Sequence, residues 1–246
     1  MIVPKIAAMK LILPVILVFL TCPVFSQAML SEIDFDRIPQ KKIRHFIDEQ
    51  IQEQKLRFSD IEPSYNPFSA SDNDSYSIVS DAFLFREKLD KVWDSYCSTE
   101  MAEAWNGKRI SFGLLLSKWT DFIMYCTDPI YADLDTGQVF FVNLRLLKGI
   151  YNLAVGLEIV NIDPTDKTIQ FSYVKGGKSE GVQTIHFVAT EEGYTEIIHT
   201  SEFRSNSNFR DRRLYPRFHK KFIYEFHQNM LLSLGKTKKD LVVIPQ

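Results

Sequence analysis

Between residues 110 and 203 the chain carries six runs rich in β-branched, aromatic and aliphatic residues, at 110–116, 139–147, 153–162, 168–174, 182–189 and 195–203. Turn chemistry separates several of them: Asp163-Pro164-Thr165-Asp166, Gly176-Gly177-Lys178 and Glu191-Glu192-Gly193. Such spacing predicts consecutive antiparallel hairpins, with 118–137 a loop over one end of the sheet. A meander of this kind has a face to bury and needs something to bury it against. The next element can do that. In 217–234, Phe218, Phe222, Phe226 and Met230 recur every four residues, and Ile223, Leu231 and Leu234 widen the stripe. Pro216 suits a first helical turn and Gly235 a C-terminal cap. Eighteen residues at 1.5 Å each give a helix of about 27 Å, enough to cover the meander. Nineteen Phe and a 13% aromatic content supply a deep core or an aromatic-lined cavity.

Upstream, 39–57 reads as an amphipathic helix with Ile43, Phe46, Ile47 and Ile51 on one face, and 58–74 as a loop or linker. Residues 76–85 look like a strand. From 86 to 105 the spacing turns helical, with Leu89, Val92, Trp93 and Tyr96 at i, i+3, i+4 and i+7, until Gly107. After Lys236 the tail is basic and then apolar, suited to a short edge strand or a free end. The implied organisation is a signal segment at 1–26, an N-terminal helix and linker at 27–74, a main domain at 75–236 and a tail at 237–246.

Residues 1–28 hold Lys5, Lys10 and no acid, followed by an apolar run from Leu11 to Leu20 broken only by Pro14. This is the order of a secretory signal peptide, and Val24-Phe25-Ser26 places cleavage before Gln27. A lipoprotein site at Cys22 and a retained anchor are the rival readings. Export to a periplasm or the outside is the expectation. Cleavage takes the formal charge from −2 to −4 and leaves Cys97 and Cys126. In an oxidising compartment these two can pair or stay as separate buried thiols. A chain this acidic has no global positive field, so nucleic acid is not expected as a partner.

Strand, two short helices, long meander, one long C-terminal helix: this order resembles the START-like (SRPBCC) superfamily. The likeness is carried by FLFREKLDKVWDSY at 83–96, IQFSYVKGGKSEGVQTIHF at 169–187 and GYTEIIHTSEFRS at 193–205. It implies an α+β helix-grip fold, a curved antiparallel sheet wrapped around the C-terminal helix, with the N-terminal helix as an addition. It also implies a cavity between sheet and helix that holds an apolar ligand. Tyr173, His186, His199, His219, Phe222 and Phe226 are the candidate ligand-binding residues.

Some side chains invite chemistry. If 191–194 is the hairpin loop, 190 pairs with 195 and His186 with His199, putting two imidazoles on one face about 5 Å apart. Such a pair could move a proton; alternatively both lie on the outer face. With no third ligand in view, no metal is expected. Seven basic residues between Arg204 and Lys221 face one acid, Asp211, for a local charge of +6. Arg204, Arg210 and Arg213 are candidates to hold an anionic head group at a cavity mouth; the alternative is a solvated loop. His219 and His227 lie eight apart on the last helix. No HExxH, GxSxG, Walker loop or GxGxxG occurs, so no catalytic residue and no cofactor are assigned. The expected function is an exported, non-catalytic binding or carrier protein for a lipid-like or aromatic molecule. A cyclase or hydrolase using a cavity histidine, or a packed interaction module, are the alternatives. Contact with a membrane surface and the oligomeric state stay open.

Overall fold

The computed structural model describes residues 28–65, 76–129 and 133–244; the signal segment, its cleavage point and Cys22 lie outside the described residues. Thirteen elements follow in order: α1 (Lys41–Gln52), β1 (Ser77–Phe85), α2 (Leu89–Ser98), α3 (Met101–Ala104), β2 (Ile110–Ser117), β3 (Ile123–Tyr125), β4 (Gln138–Leu146), β5 (Tyr151–Asp163), β6 (Thr168–Tyr173), β7 (Glu180–Ala189), β8 (Thr195–Arg204), α4 (Tyr215–Ser233) and β9 (Val242–Ile244). The strands form one antiparallel sheet in the order β3-β2-β4-β5-β6-β7-β8-β1-β9. Each hairpin of the meander is therefore a sheet neighbour, and β1 closes onto β8. The stretch 118–137, expected as a loop, contributes β3, whose Ile123–Tyr125 pairs with Leu114–Leu116. Three residues are too short a run to show alternation. The C-terminal tail supplies the opposite edge strand, with Val243 opposite Phe83.

The curved sheet buries both faces over part of its width. On the inner face, Phe85, Phe112, Phe140, Phe171, Phe187 and Phe203 join α2, α3 and α4 in the main core. Successive strand residues point to opposite faces, so Val139 and Phe141 fall on the outer side while Phe140 and Val142 fall on the inner. A bulge at Gly113 resets β2, leaving Phe112 and Leu115 inside and Leu114 and Leu116 outside. The outer residues are covered by α1 through Ile43, Phe46 and Ile47, and by Leu30, Ile38, Phe58 and Ile61 from its flanking turns. Phe46 meets Phe141 edge to face at 5.8 Å. Where they cross β5 stands Gly156, whose added Cβ would lie 3.0 Å from Phe141 and 3.1 Å from Phe46. Burying these three α1 side chains contributes about 1.5–3 kcal/mol each.

The C-terminal helix is entered through one π-helical turn, Arg210–Leu214, with Pro216 in its first α turn. Its register is fixed by polar anchors. The buried Glu225 carboxylate accepts from Arg109 N at 2.7 Å and from Arg109 Nη1 at 3.1 Å. Asn229 donates to the carbonyls of Ala104 and Asn106 at 3.0 and 2.9 Å. Gly107 leaves room for this anchor: a Cβ there would sit 2.1 Å from Glu225 Oε1 and push the carboxylate from its place. Among the described residues no helix is long and apolar enough to cross a membrane.

Candidate functional site

A cavity of about 430 Å³ lies between α4 and the inner face of β4, β5 and β6. Its sheet wall comes from every second residue of two neighbouring strands, Val142 and Leu144 on β4 and Val155 and Leu157 on β5. Its helix wall comes from residues four apart, which share a face: Phe218 and Phe222 in one row, Tyr215, His219 and Ile223 in the next. Lys178 and Arg210 are the charged residues on the lining, and no Asp or Glu takes part in it. A volume of this size is within the range of small-molecule sites.

One end of the cavity touches a buried polar cluster. Tyr96 on α2 donates its hydroxyl to His227 Nδ1 at 2.6 Å. His227 Nε2 meets His199 Nδ1 at 3.0 Å, and His199 Nε2 meets Gln183 Oε1 at 3.0 Å. The same oxygen receives His219 Nε2 at 3.1 Å, while Gln183 Nε2 donates to the Tyr173 hydroxyl at 3.0 Å. Tyr173 contacts the Tyr215 hydroxyl, which lies 2.7 Å from Ser201 Oγ. An amide oxygen only accepts, so in this arrangement His199 and His219 both carry their proton on Nε2, and His227 donates from Nε2 to His199. Every imidazole nitrogen is then used except His219 Nδ1, which is buried without a partner. Burial holds all three histidines below the usual imidazole range, His219 and His227 at about 3, and pushes Tyr173 up to about 12. The cluster is neutral at physiological pH.

Of the residues singled out by sequence, Tyr173, His219, Phe222 and Arg210 line the cavity. His199 is fully buried behind it, in the hydrogen-bonded chain. The expected pairing of His186 with His199 gives way to His186 opposite Ile198 and His199 opposite Ile185. The register closes with Ala189 rather than Thr190 opposite Thr195, and a one-residue change sends the two side chains to opposite faces. His186 is exposed on the outer face. Phe226 is also not a lining residue: it stacks on Trp105 at 4.3 Å, inside the packed core. Arg204 pairs with Glu180 across β7 and β8 at 2.9 Å and lies over the Tyr76 ring, and Arg213 is exposed; neither lines the cavity. Cys97 and Cys126 are separate, partly buried thiols, raised by burial, Cys97 to about 11.

Sequence reasoning missed Tyr96, Gln183, Ser201 and Tyr215. Part of a signal existed. Tyr215, His219, Ile223 and His227 form an i+4 row on α4, and Thr195, Ile197, His199, Ser201 and Phe203 form the inward row of β8. Intersecting those rows would have brought His199 to His219 and His227. Gln183 shares the inward row of β7 with Ile185 and Phe187, but a lone amide in that row does not by itself announce its histidine partners on β8 and α4. Among the described residues, no three His, Cys, Asp or Glu side chains are arranged to hold a metal ion.

No protein-family model and no curated protein matches the sequence. Among solved structures, the ginseng major latex-like protein 151 from Panax ginseng is 13% identical, with a TM-score of 0.48 over 64% of this chain and 97% of that one. Norcoclaurine synthase from Thalictrum flavum, solved in complex with dopamine and hydroxybenzaldehyde, is 12% identical, with a TM-score of 0.48 over 70% and 94%. A protein from Nitrosospira multiformis is 8% identical, with a TM-score of 0.41 over 63% and 94%. Within this chain, a curved antiparallel sheet begun by β1, interrupted by two short helices and closed around one long C-terminal helix makes a helix-grip arrangement.

Proposed function

We propose that this protein binds and carries a hydrophobic small molecule in the cavity between α4 and the sheet, without transforming it. The observation that supports this most is the cavity itself: about 430 Å³, walled by aliphatic and aromatic side chains from two strands and one helix. Apolar lining removes apolar ligand surface from water, at roughly 25 cal/mol per Å², whatever the chemistry of the rest of the ligand. An enzymatic reading would rest on His219, the histidine at the lining. Burial holds it at about 3, so it is a feeble proton acceptor near neutrality, far from the poise a general base needs. A neutral ring with one unused lone pair is better suited to accepting a hydrogen bond from a ligand. The signal-like segment at 1–26 supports a carrier working outside the cytoplasm, and N-terminal sequencing of exported material beginning at Gln27 tests that part.

The binding reading is tested by filling the cavity. Val155→Trp adds bulk to the wall where space exists, so stability should change by less than about 1.5 kcal/mol. Titration with phenylnaphthylamine, a neutral apolar dye, should show at least a tenfold loss of affinity in the variant. Organic extraction of protein purified from its native compartment should yield an apolar compound from the parent and much less from the variant. Equal dye affinity in the two proteins would count against the cavity as the site.

A further inference from the structure

We infer that the ligand of this cavity carries a carboxylate, taken side-on by the guanidinium of Arg210 with Lys178 as the supporting charge. The inference rests on the binding reading above and adds the class of molecule. Apart from Ser179 and the neutral polar groups at one end the lining is apolar, yet both of its charged residues are cationic and no acid lies among them. The polar cluster at its end offers no counter-charge, because its histidines, tyrosines, glutamine and serine are all neutral. Two cations, exposed Lys178 and Arg210 with only the distant Asp211 carboxylate as partner, therefore border a low-dielectric wall that holds no acid, an arrangement that favours an anion.

Arg210 has an edge suited to the task. Its Nε and Nη2, the two donors that form a side-on fork, are shielded from solvent and make no hydrogen bond. Buried donors are nearly always satisfied, and leaving two on one guanidinium is costly. The one acid close by is Asp211, whose Oδ1 lies 3.9 Å from Arg210 Nε, beyond hydrogen-bond reach. Its carboxylate is engaged instead with Ser205, accepting from the backbone N at 2.9 Å and from Oγ at 2.6 Å. The guanidinium thus sits at the entrance of α4 with its fork unmatched. A planar carboxylate matches that fork with two parallel charge-assisted bonds. The π-helical turn Arg210–Leu214 brings both Arg210 and Leu214 to the cavity lining, so the cation and the apolar wall are adjacent.

The test compares dodecanoic acid with dodecanol as competitors of phenylnaphthylamine at pH 7.5, for the parent, Arg210→Met and Arg210→Lys. The parent should prefer the acid by tenfold or more, the scale expected for hydrogen bonds to a charged group. Arg210→Met should bring the ratio to within about twofold, and Arg210→Lys, which keeps the charge and loses the fork, should fall between. Denaturant midpoints of all three proteins establish that they are folded. A parent that binds both competitors equally, or a preference that survives Arg210→Met, overturns the carboxylate assignment while leaving an apolar-ligand cavity in place. If neither competitor displaces the dye, or the dye does not bind, the cavity reading falls and this inference with it.

Discussion

The residues that decide the character of the site are three histidines that the fold keeps uncharged. His199, His219 and His227 are buried, and burial disfavours their imidazolium forms, leaving His219 and His227 at about 3. In the unfolded chain each would titrate near 6.5. The unfolded state therefore binds protons that the folded state refuses, so these groups support folding above about pH 6.5 and withdraw that support as pH falls toward 3. Each histidine should steepen the loss by about 1.4 kcal/mol per pH unit, and three together by about 4 kcal/mol per unit between roughly pH 4 and 5.5. Urea midpoints across that interval measure the slope. His219→Gln should lower it by about a third, and an unchanged slope would mean that His219 is not held neutral. Sequence gave only part of this cluster. His199, His219 and His227 stood out as ionisable residues on apolar elements, but Gln183 reaches His199 and His219 from β7 across 16 and 36 residues of sequence, and Tyr96 reaches His227 from α2 across 131. Single-segment periodicity carries no information about such meetings.

At the level of elements, α4 was readable because four-residue spacing of Phe218, Phe222, Phe226 and Met230 has one interpretation. What lies opposite each of them was not. The structure divides the row: Phe222 faces the cavity, whereas Phe226 is 3% exposed, stacked on Trp105 and edge-on to Tyr96. Phe226→Ala should therefore cost about 3–5 kcal/mol, the transfer loss joined by a new void. Phe222→Ala should cost about 1–3 kcal/mol, since one side of that ring already borders open space, and it should alter dye affinity as Phe226→Ala does not need to. Denaturant midpoints and dye titrations on both variants separate the two positions; equal costs would mean that Phe222 is as tightly packed as Phe226. The strands tell a similar story. Turn residues located the hairpins, but the β7–β8 register depended on a loop one residue different from the simplest choice. Thr190 N donates to Tyr194 O within that loop, a bond that no residue type there announces.

On the scale of the whole molecule, the meander was read as having one face to bury, and half of it has two. Clues were present in ISFGLLLS and QVFFVNL, near-continuous apolar runs that mark strands covered on both sides. The N-terminal segment is the cover. It shares no wall with the ligand cavity, since α1 packs on Leu114, Leu116, Val139 and Phe141 while the cavity opens on the opposite side of the same strands. Stability and binding should for this reason separate cleanly between the faces. Phe46 is 6% exposed and sits against Phe141 and Gly156, so Phe46→Ala should cost about 3–5 kcal/mol. Its affinity for phenylnaphthylamine under native conditions should stay within about twofold of the parent, because inner-face residues such as Val142 and Val155 keep their strand register. Since β2, β4 and β5 belong to both cores, the variant should still unfold in one transition, earlier in denaturant but with the same slope. Fluorescence and far-UV circular dichroism recorded on the same urea series measure this. A midpoint unmoved by Phe46→Ala would make the N-terminal helix an appendage, and two separated transitions would make it an independent unit whose loss the helix-grip core survives.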